Sequence, residues 1–546
     1  MSFRLFFFVL GDKVNEKQIV YNTKYIPEIS IYRISKIKDP KEKVAKDVIA
    51  GKYGVYPQRK TLLEKAGYDY EVIQGIVGAM LDGTYTSSFN KKYCDFSVKD
   101  TLLSMSFTLS VNDITGSFSL TLFPEDNGIS VFDNIQIMDI VEIREPSNVN
   151  NQASRPVFTG VVKTKKFITQ TDGSGGLRRV SISGMAVTGL VSQFKINLDT
   201  TAMAITKQFK EQGNLNRDFT LKYLGEKNLK VADVVKNVWN HFLDISSQDG
   251  MGTPKIAEYI EATMGTIKEM FAFDDSAFYY PLGCIFNGEQ TQDFFSLIDG
   301  VMPSPMYEKF AYMGADGRMK IMIRQVPFDS DKWSGFIQSR ESGKGKTMKV
   351  SFDTKLLKSF ELSQSDNEVY TVFYAYLNGY PVDEQKMLKL STMEEFVDDT
   401  LITSDEYKTY GYKPLICHFI GYGMKDGEKD SDSISKMKDV TKKLKDWFSN
   451  LQNMFSGSMT ISMSYQNGVV IMPGDVLLFL KNEKTQKYWA EFYVEGITHS
   501  WNYGQGGEIN LTVSRGGKYN NGEFDPVGTK SLEVGKLSVL MESIQK

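Results

Sequence analysis

Apolar and polar residues alternate with period two through much of the chain, and only a few stretches switch to the 3.6-residue period of a helix. "LSMSFTLSVNDITGSFSLTLF" alternates on both sides of "NDITG", as two half-buried antiparallel strands joined by a turn would. "IQIMDIVEIRE", "RPVFTGVVKTKKFITQ" and "LRRVSISGMAV" continue the series, separated by turn-rich stretches such as "QTDGSGG". Strands at this spacing predict a small barrel or sandwich. Alternation returns in "GSMTISMSYQNGVVIMPGDVLLFLKNEKTQKYWAEFYVEGITHSWNYGQGGEINLTVSRG", with turns at "QNG", "MPGD" and "YGQGGE", and predicts a second barrel.

Between these regions the period changes. "VADVVKNVWNHFLDI" and "TQDFFSLIDGVM" predict helices, and "KFAYMGADGRMKIMIRQVPF" a hairpin turning at "GADG". The fold class expected is mixed α+β and multidomain: two small antiparallel β-barrels separated by α/β and helical segments, plus a three-helix module. The boundaries are 1–40 with 84–200 for the first barrel, interrupted by the module at 41–83. A helical segment follows at 201–278, a mixed α/β domain at 279–381 and a charged helical and loop segment at 382–456. The second barrel takes 457–526. The tail 527–546 carries Leu532, Leu537, Leu540 and Ile544 at helical spacing, for a helix that docks on a neighbouring subunit, on a spike, or on its own chain.

The module is the stretch Lys43 to Leu81, "KVAKDVIAGKYGVYPQRKTLLEKAGYDYEVIQGIVGAML". Val44, Ala45, Val48 and Ile49 follow Pro40 at helical spacing, and Gly51 sits where a left-handed cap ends a helix. Leu62, Leu63 and Ala66 mark a second helix after Pro57, stopped by Gly67. Asp69 is an N-cap for a third, with Ile73, Ile76, Val77 and Met80 on its apolar side and Gly83 beyond it. Tyr53, Tyr56, Arg59, Tyr68 and Tyr70 crowd the same segment, beside Asp69. Two readings of them stand. They close a small core, or their aromatic faces and polar groups take a sugar, which offers C–H faces for stacking and hydroxyls for hydrogen bonds.

Composition narrows the classes. The formal net charge is −3 and no long basic run occurs, which argues against non-specific attraction to nucleic acid or an anionic membrane. Cys94, Cys284 and Cys417 are far apart and form no CxxC pair, so neither a disulfide framework nor a zinc site is expected, and no metal or cofactor is implied. "MSFRLFFFVLGDKVNEK" has a short apolar run without a small-residue cleavage site and reads as an opening strand within Ser2 to Ile37 rather than a signal. No window has the ~20 apolar residues of a membrane span. "MEEFVDD" and "KDGEKDSDSISKMKD" read as solvated faces and a loop; a hard cation is the other use of clustered carboxylates.

Two resemblances organise these observations. "VAKDVIAGKYG" with "RKTLLEKAGYDYEVIQGIV" resembles the CW-seven cell-wall-binding repeat of some phage lysozymes, whose members bind muropeptide fragments of peptidoglycan. Tyr53 stands where that family commonly has Trp, and "GVYP" replaces a Gly-rich turn. The resemblance makes Tyr53, Tyr56, Arg59, Tyr68, Asp69 and Tyr70 candidate carbohydrate ligands. "PGDVLLFL" with "AEFYVEGITHSWNYGQGGEINLTVSRG" resembles the C-terminal barrel of phage tail baseplate hubs, "IMIRQVPFDSDKW" and "LKSFELSQSDNEVYTVF" their middle, and "FTGVVKTKK" their first barrel, all in the family's order. That resemblance implies a homotrimer with two similar barrels per chain, set as a pseudo-sixfold ring between a sixfold tail tube and a threefold spike or tip. Tail tube, spike and other baseplate proteins are the implied partners, with host peptidoglycan for the module, in the virion.

The competing classes are a cell-wall hydrolase and a wall-binding adhesin. A thiol peptidase needs a base beside its cysteine, and only His241, His418 and His499 are available. Cys417 and His418 are neighbours in "PLICHFIGYG", and adjacent side chains on a strand face opposite ways. A glycosidase needs two carboxylates across one cleft, and Glu394 and Asp398 lie in a run that reads as solvated. No catalytic residue is therefore assigned, and a structural, non-enzymatic role is expected.

Overall fold

The computed structural model describes residues 26–33, 40–66, 68–82, 96–126, 128–146, 154–171, 176–193, 195–197, 304–314, 316–326, 349–352, 357–378, 395–397, 405–420, 430–448, 455–462, 471–482, 487–520 and 523–524, with short stretches between 229 and 295.

Fourteen strands join in one sheet. In chain order they are β1 (Glu28–Tyr32), β2 (Phe96–Ser97), β3 (Leu102–Ser110), β4 (Asp113–Leu122), β5 (Ile140–Pro146), β6 (Ser154–Thr171) and β7 (Gly176–Ala186), then β8 (Lys349–Phe352), β9 (Leu357–Ser363), β10 (Phe455–Ser462), β11 (Val476–Asn482), β12 (Lys487–Asn502), β13 (Gly506–Asn520) and β14 (Glu523–Phe524). Across the sheet the order is β9-β10-β13-β12-β3-β4-β7-β6-β5-β1-β2; β11 lies beside β12, β8 beside β11 and β14 beside β13. The alternation in the sequence is the alternation in space. Phe107 and Leu109 of β3 and Phe118 and Leu120 of β4 point into the core, and Asn112, at φ 64°, makes the turn between the two strands.

Among the described residues no barrel closes, and the fold is mostly β with few helices rather than evenly mixed. β12 is the physical reason. At 16 residues it is long enough to hold β11 along its first half and β3 along its second, so the two strand-rich regions share one sheet.

Within that sheet two five-stranded units have the same topology: β3-β4-β7-β6-β5 and β9-β10-β13-β12-β11. Three of their register shifts coincide. The register shifts between Leu102 and Ser104 in β3 and between Leu357 and Ser359 in β9. It shifts between Ile143 and Arg144 in β5 and between Phe479 and Leu480 in β11. It shifts again between Val162 and Thr164 in β6 and between Val494 and Gly496 in β12. A bulge redirects every residue beyond it, so bulges at matching positions fix a residue-by-residue correspondence. The turns entering β5 and β11 also match: the amides of Gln136 and Met472 each donate to a carboxylate oxygen, of Asp139 and Asp475 respectively, at 2.8 Å. One residue before each aspartate the chain takes a left-handed conformation, at Met138 (φ 74°) and Gly474 (φ 80°).

Several expectations are corrected here. "TQDFFSLIDGVM" opens as a strand, Thr291–Asp293, paired with Lys195–Asn197, and turns helical only at Phe294 and Phe295. In "MEEFVDD" the segment Glu395–Val397 is a strand beside Val372–Asn378, within a stretch expected to be helical and loop; long-range pairing overrides the local pattern. β8 and β9 pair with strands of the C-terminal unit although they fall within 279–381. The hairpin Tyr307–Met313 and Met319–Gln325 forms as its turn signal indicates, with Phe271–Phe273 parallel on its far side. Of the range Ser2 to Ile37 given for the opening strand, Glu28–Tyr32 is β1, while residues 1–25, most of 201–278 and the tail 527–546 lie outside the described residues.

Candidate functional site

The segment around "AGYDY" folds as α1 (Pro40–Ile49), α2 (Gln58–Lys65) and α3 (Tyr70–Leu81) about a core of six residues: Val44, Ala45, Val48, Leu63, Ile73 and Val77. Gly51, at φ 80°, donates its amide to Val48 and closes α1, a conformation that costs a residue with a Cβ about 1–2 kcal/mol. Gly67 and Gly83 lie outside the described residues. Ile49 and Leu62 are exposed, so α1 and α2 bury narrower stripes than their apolar residues suggest.

The six candidate residues divide by role. Asp69 caps α3, its Oδ1 accepting the amides of Glu71 at 2.9 Å and Val72 at 3.2 Å, so that oxygen is already used. Arg59 donates from Nε to the carbonyl of Gly54 at 2.9 Å, which anchors its guanidinium over the turn before α2. Tyr53, Tyr68 and Tyr70 pack, partly buried, on the small core. Tyr56 is 68% exposed, and its ring lies 6.2 Å from that of Tyr70 at 52°. Tyr53 and Tyr68 close the core, while Tyr70, also packed on it, forms a tilted aromatic pair with exposed Tyr56.

Two residues join that pair that the sequence reading left out. Lys60 places its ammonium 6.0 Å from the centre of the Tyr70 ring. Gln74, one helical turn after Tyr70, has an Nε2 that is out of solvent and without a hydrogen-bond partner. The i to i+4 spacing from Tyr70 is the signal that would have found Gln74. Aromatic faces flanked by an ammonium and an amide donor suit a sugar that carries acetamido or carboxylate acceptors.

Elsewhere, of the groups considered for catalysis, His499 and Cys417 are described, and the side chains of His241, His418, Glu394 and Asp398 lie outside the described residues. His499 is fully buried in β12, its Nδ1 3.4 Å from Glu145 and its ring stacked on Phe107 at 4.5 Å. Cys417, in the strand Pro414–Ile420, is 1% exposed, and burial pushes its thiol up to about 12, far from the thiolate a nucleophile needs. Glu308, Arg324 and Tyr493 form a buried network, with Arg324 Nε 2.5 Å from Glu308 and Tyr493 donating to Glu308 at 2.6 Å. Burial opposes the charge on Arg324, yet Glu308 beside it holds its pKa above the ordinary value; burial and Glu308 together raise that of Tyr493.

The CW_7 repeat family model matches residues 42–81, which are the three helices just described. No curated protein matches the chain. Among solved structures, the chain is similar to a tail protein from Neisseria meningitidis MC58, at 12% identity and a TM-score of 0.40, over 78% of this chain and 95% of that one. It is similar to the 43 kDa tail protein of prophage MuSo2 from Shewanella oneidensis at 12% identity and a TM-score of 0.36, over 76% and 94%. It is also similar to the Francisella PdpA–VgrG complex at 10% identity and a TM-score of 0.34, over 88% of this chain and 60% of that one. Among the described residues no helix is long and apolar enough to cross a membrane.

Proposed function

We propose that this chain is a subunit of a tail baseplate hub, a non-enzymatic virion protein that forms a trimer and carries one wall-binding module per subunit. The observation that carries this reading is the internal duplication: two five-stranded units with the same topology and matching bulges. Two like units per chain let three chains present six similar sheets, the arrangement needed to join a sixfold tail tube to a threefold spike. The net charge of −3 suits a conduit through which DNA passes without being held.

The CW_7 match and the Tyr56–Tyr70 pair support peptidoglycan as the module's ligand. Three modules on one particle gain avidity if several reach one wall together. Light scattering of the purified full-length protein tests the hub reading, with a mass of three chains expected; a strict monomer overturns it. Titration with muropeptides tests the module: saturable binding is expected, and Tyr70→Ala is expected to weaken it about fivefold or more, since stacking on an aromatic ring contributes roughly 1–3 kcal/mol. Arg59→Ala is expected to act through the Gly54 turn and to weaken it less. An absence of saturable binding overturns the peptidoglycan assignment and leaves the hub reading standing.

A further inference from the structure

At the β12 bulge the second unit opens into a cavity of about 720 Å³, within the range of small-ligand sites. Three of its wall residues have counterparts in the first unit that the register identifies. Gly457 stands where the first unit has Phe118, and Ser514 where it has Met185. Glu495, the extra residue of the β12 bulge, stands where the bulge of β6 has Lys163. A phenyl ring, a thioether and an ammonium thus give way to a hydrogen atom, a hydroxyl and a carboxylate. Relative to its duplicate, the second unit is hollowed and made acidic at this spot.

Among the described residues the charged side chains of the wall are Glu308, Glu361, Glu368, Glu495 and Arg515. Glu308 is already held by Arg324 and Tyr493. Arg515 is buried; it donates from Nη1 to the Trp447 carbonyl and lies over the Phe448 ring at 5.0 Å. Burial lowers its pKa to about 10, while Glu495 and Glu368 act to raise it, so both carboxylates bear on this one guanidinium. Glu361, Glu368 and Glu495 are exposed, and among the described residues none of the three carboxylates takes a hydrogen bond or a close ion pair. Ser514 adds an independent sign. It is 7% exposed, and its Oγ lies in the wall out of solvent and without a hydrogen-bond partner.

We infer that the cavity binds an alkylammonium, a primary amine on a methylene stem, with its charge set among Glu361, Glu368 and Glu495. The class follows from what each alternative leaves unpaired. An anion meets three carboxylates against one guanidinium, and a neutral polyol strips water from the carboxylates without returning a charge. A metal ion needs acidic ligands close enough to share it, and among the described residues no such group of three exists. An ammonium donates three hydrogen bonds from one centre and still acts through its charge on carboxylates beyond contact. Val326, Phe455 and Val513, all buried, give the stem an apolar wall, and the Ser514 hydroxyl accepts an N–H of the guest.

Two sources present this group, a lysine side chain on a partner chain and a free diamine. The inference rests on neither the hub nor the peptidoglycan reading. Calorimetric titration of the full-length protein tests it with two probes: the acetylated, amidated tripeptide Gly-Lys-Gly, and 1,5-diaminopentane. Saturable binding near one site per chain is expected. Tripeptide affinity at least about tenfold above that of the diamine assigns the ammonium to a partner's lysine, the reverse assigns it to a free amine, and equal affinities make the ammonium the whole determinant. The neutral tripeptide Gly-Gln-Gly is expected to bind at least about tenfold more weakly than its lysine analogue; equal binding overturns the inference.

Glu495→Lys, which reverses the bulge charge to that of the first unit, is expected to weaken binding at least about tenfold. Glu361→Gln and Glu368→Gln are expected to weaken it about threefold each. All three positions are exposed, so the fold should survive. Glu125→Lys, the same charge change on an exposed site of the first unit, should leave affinity unchanged. Ser514→Met, which restores the bulk found in the duplicate, is expected to abolish binding. No saturable binding of either probe, affinity untouched by Glu495→Lys, or an equal loss in Glu125→Lys overturns the inference. Tyr70→Ala should leave this binding intact; if it alone removes binding, the site lies in the module and the assignment to the cavity falls.

Discussion

The two five-stranded units share a backbone and little else. At corresponding positions stand Met138 and Gly474, Val161 and Tyr493, Phe118 and Gly457, Phe167 and His499. What differs follows from what each unit packs against. In the second, the hairpin Tyr307–Met313 and Met319–Gln325 lies over the turn at Gly474, where an added Cβ would come 2.4 Å from Phe310, and Arg324 donates to the Gly474 carbonyl at 2.9 Å. In the first, the same turn accommodates Met138, whose sulfur takes a contact from Lys163 at 3.6 Å. Hydrogen bonds and bulges hold the strand frame, while side chains answer to neighbours that differ between the two copies of that frame.

Mutations can test that division. The largest effect is expected from Arg324→Met, which strips the second unit of a cation and leaves the Glu308 carboxylate, 2% exposed, with only the Tyr493 hydroxyl. Breaking one side of a buried pair costs about 3–5 kcal/mol, read as a lowered denaturation midpoint. A cost below about 1 kcal/mol would mean that the network does not anchor the hairpin to the second unit.

Asp139→Ala and Asp475→Ala should show the frame's symmetry. Each leaves the matching amide, of Gln136 or Met472, without its carboxylate acceptor, at about 1–3 kcal/mol. Asp139 also holds Arg33, Nε to Oδ1, at 3.2 Å, an ion pair that Asp139→Ala removes as well. Near-zero cost at either site would break the equivalence of the turns.

The smallest effect is expected at the left-handed turn of the first unit. Met138→Gly relieves a conformation that disfavours side chains but loses the packing of Met138 on the core, and the two offset to within about 1 kcal/mol, whereas Gly474→Ala should destabilise by about 1–3 kcal/mol through the contact with Phe310. Thermal unfolding of the two variants checks the difference.

How legible all this was in the chain depends on the range of the forces involved. The helices of the module were legible because caps and period act within a few residues: Asp69 caps α3 and Gly51 ends α1 as local chemistry dictates. Strand existence was legible for the same reason, in "LSMSFTLSVNDITGSFSLTLF" and its counterparts. The site was only partly legible. The density of tyrosines marked the module and the i to i+4 spacing places Gln74 one turn from Tyr70, yet which tyrosines face water, and that Lys60 stands beside Tyr70, follow from how α2 packs on α3.

By itself the sequence determined the β alternation, the turn positions and the helical module. Only the tertiary structure decided that the two strand-rich regions share one sheet through β12 and that their strand order and three of their register shifts match. Alternation tells each residue which face to take but not which strand to pair with. Pairing is settled by backbone hydrogen bonds that any sequence of the right period can make, so a duplicated frame persists where the side chains no longer resemble each other.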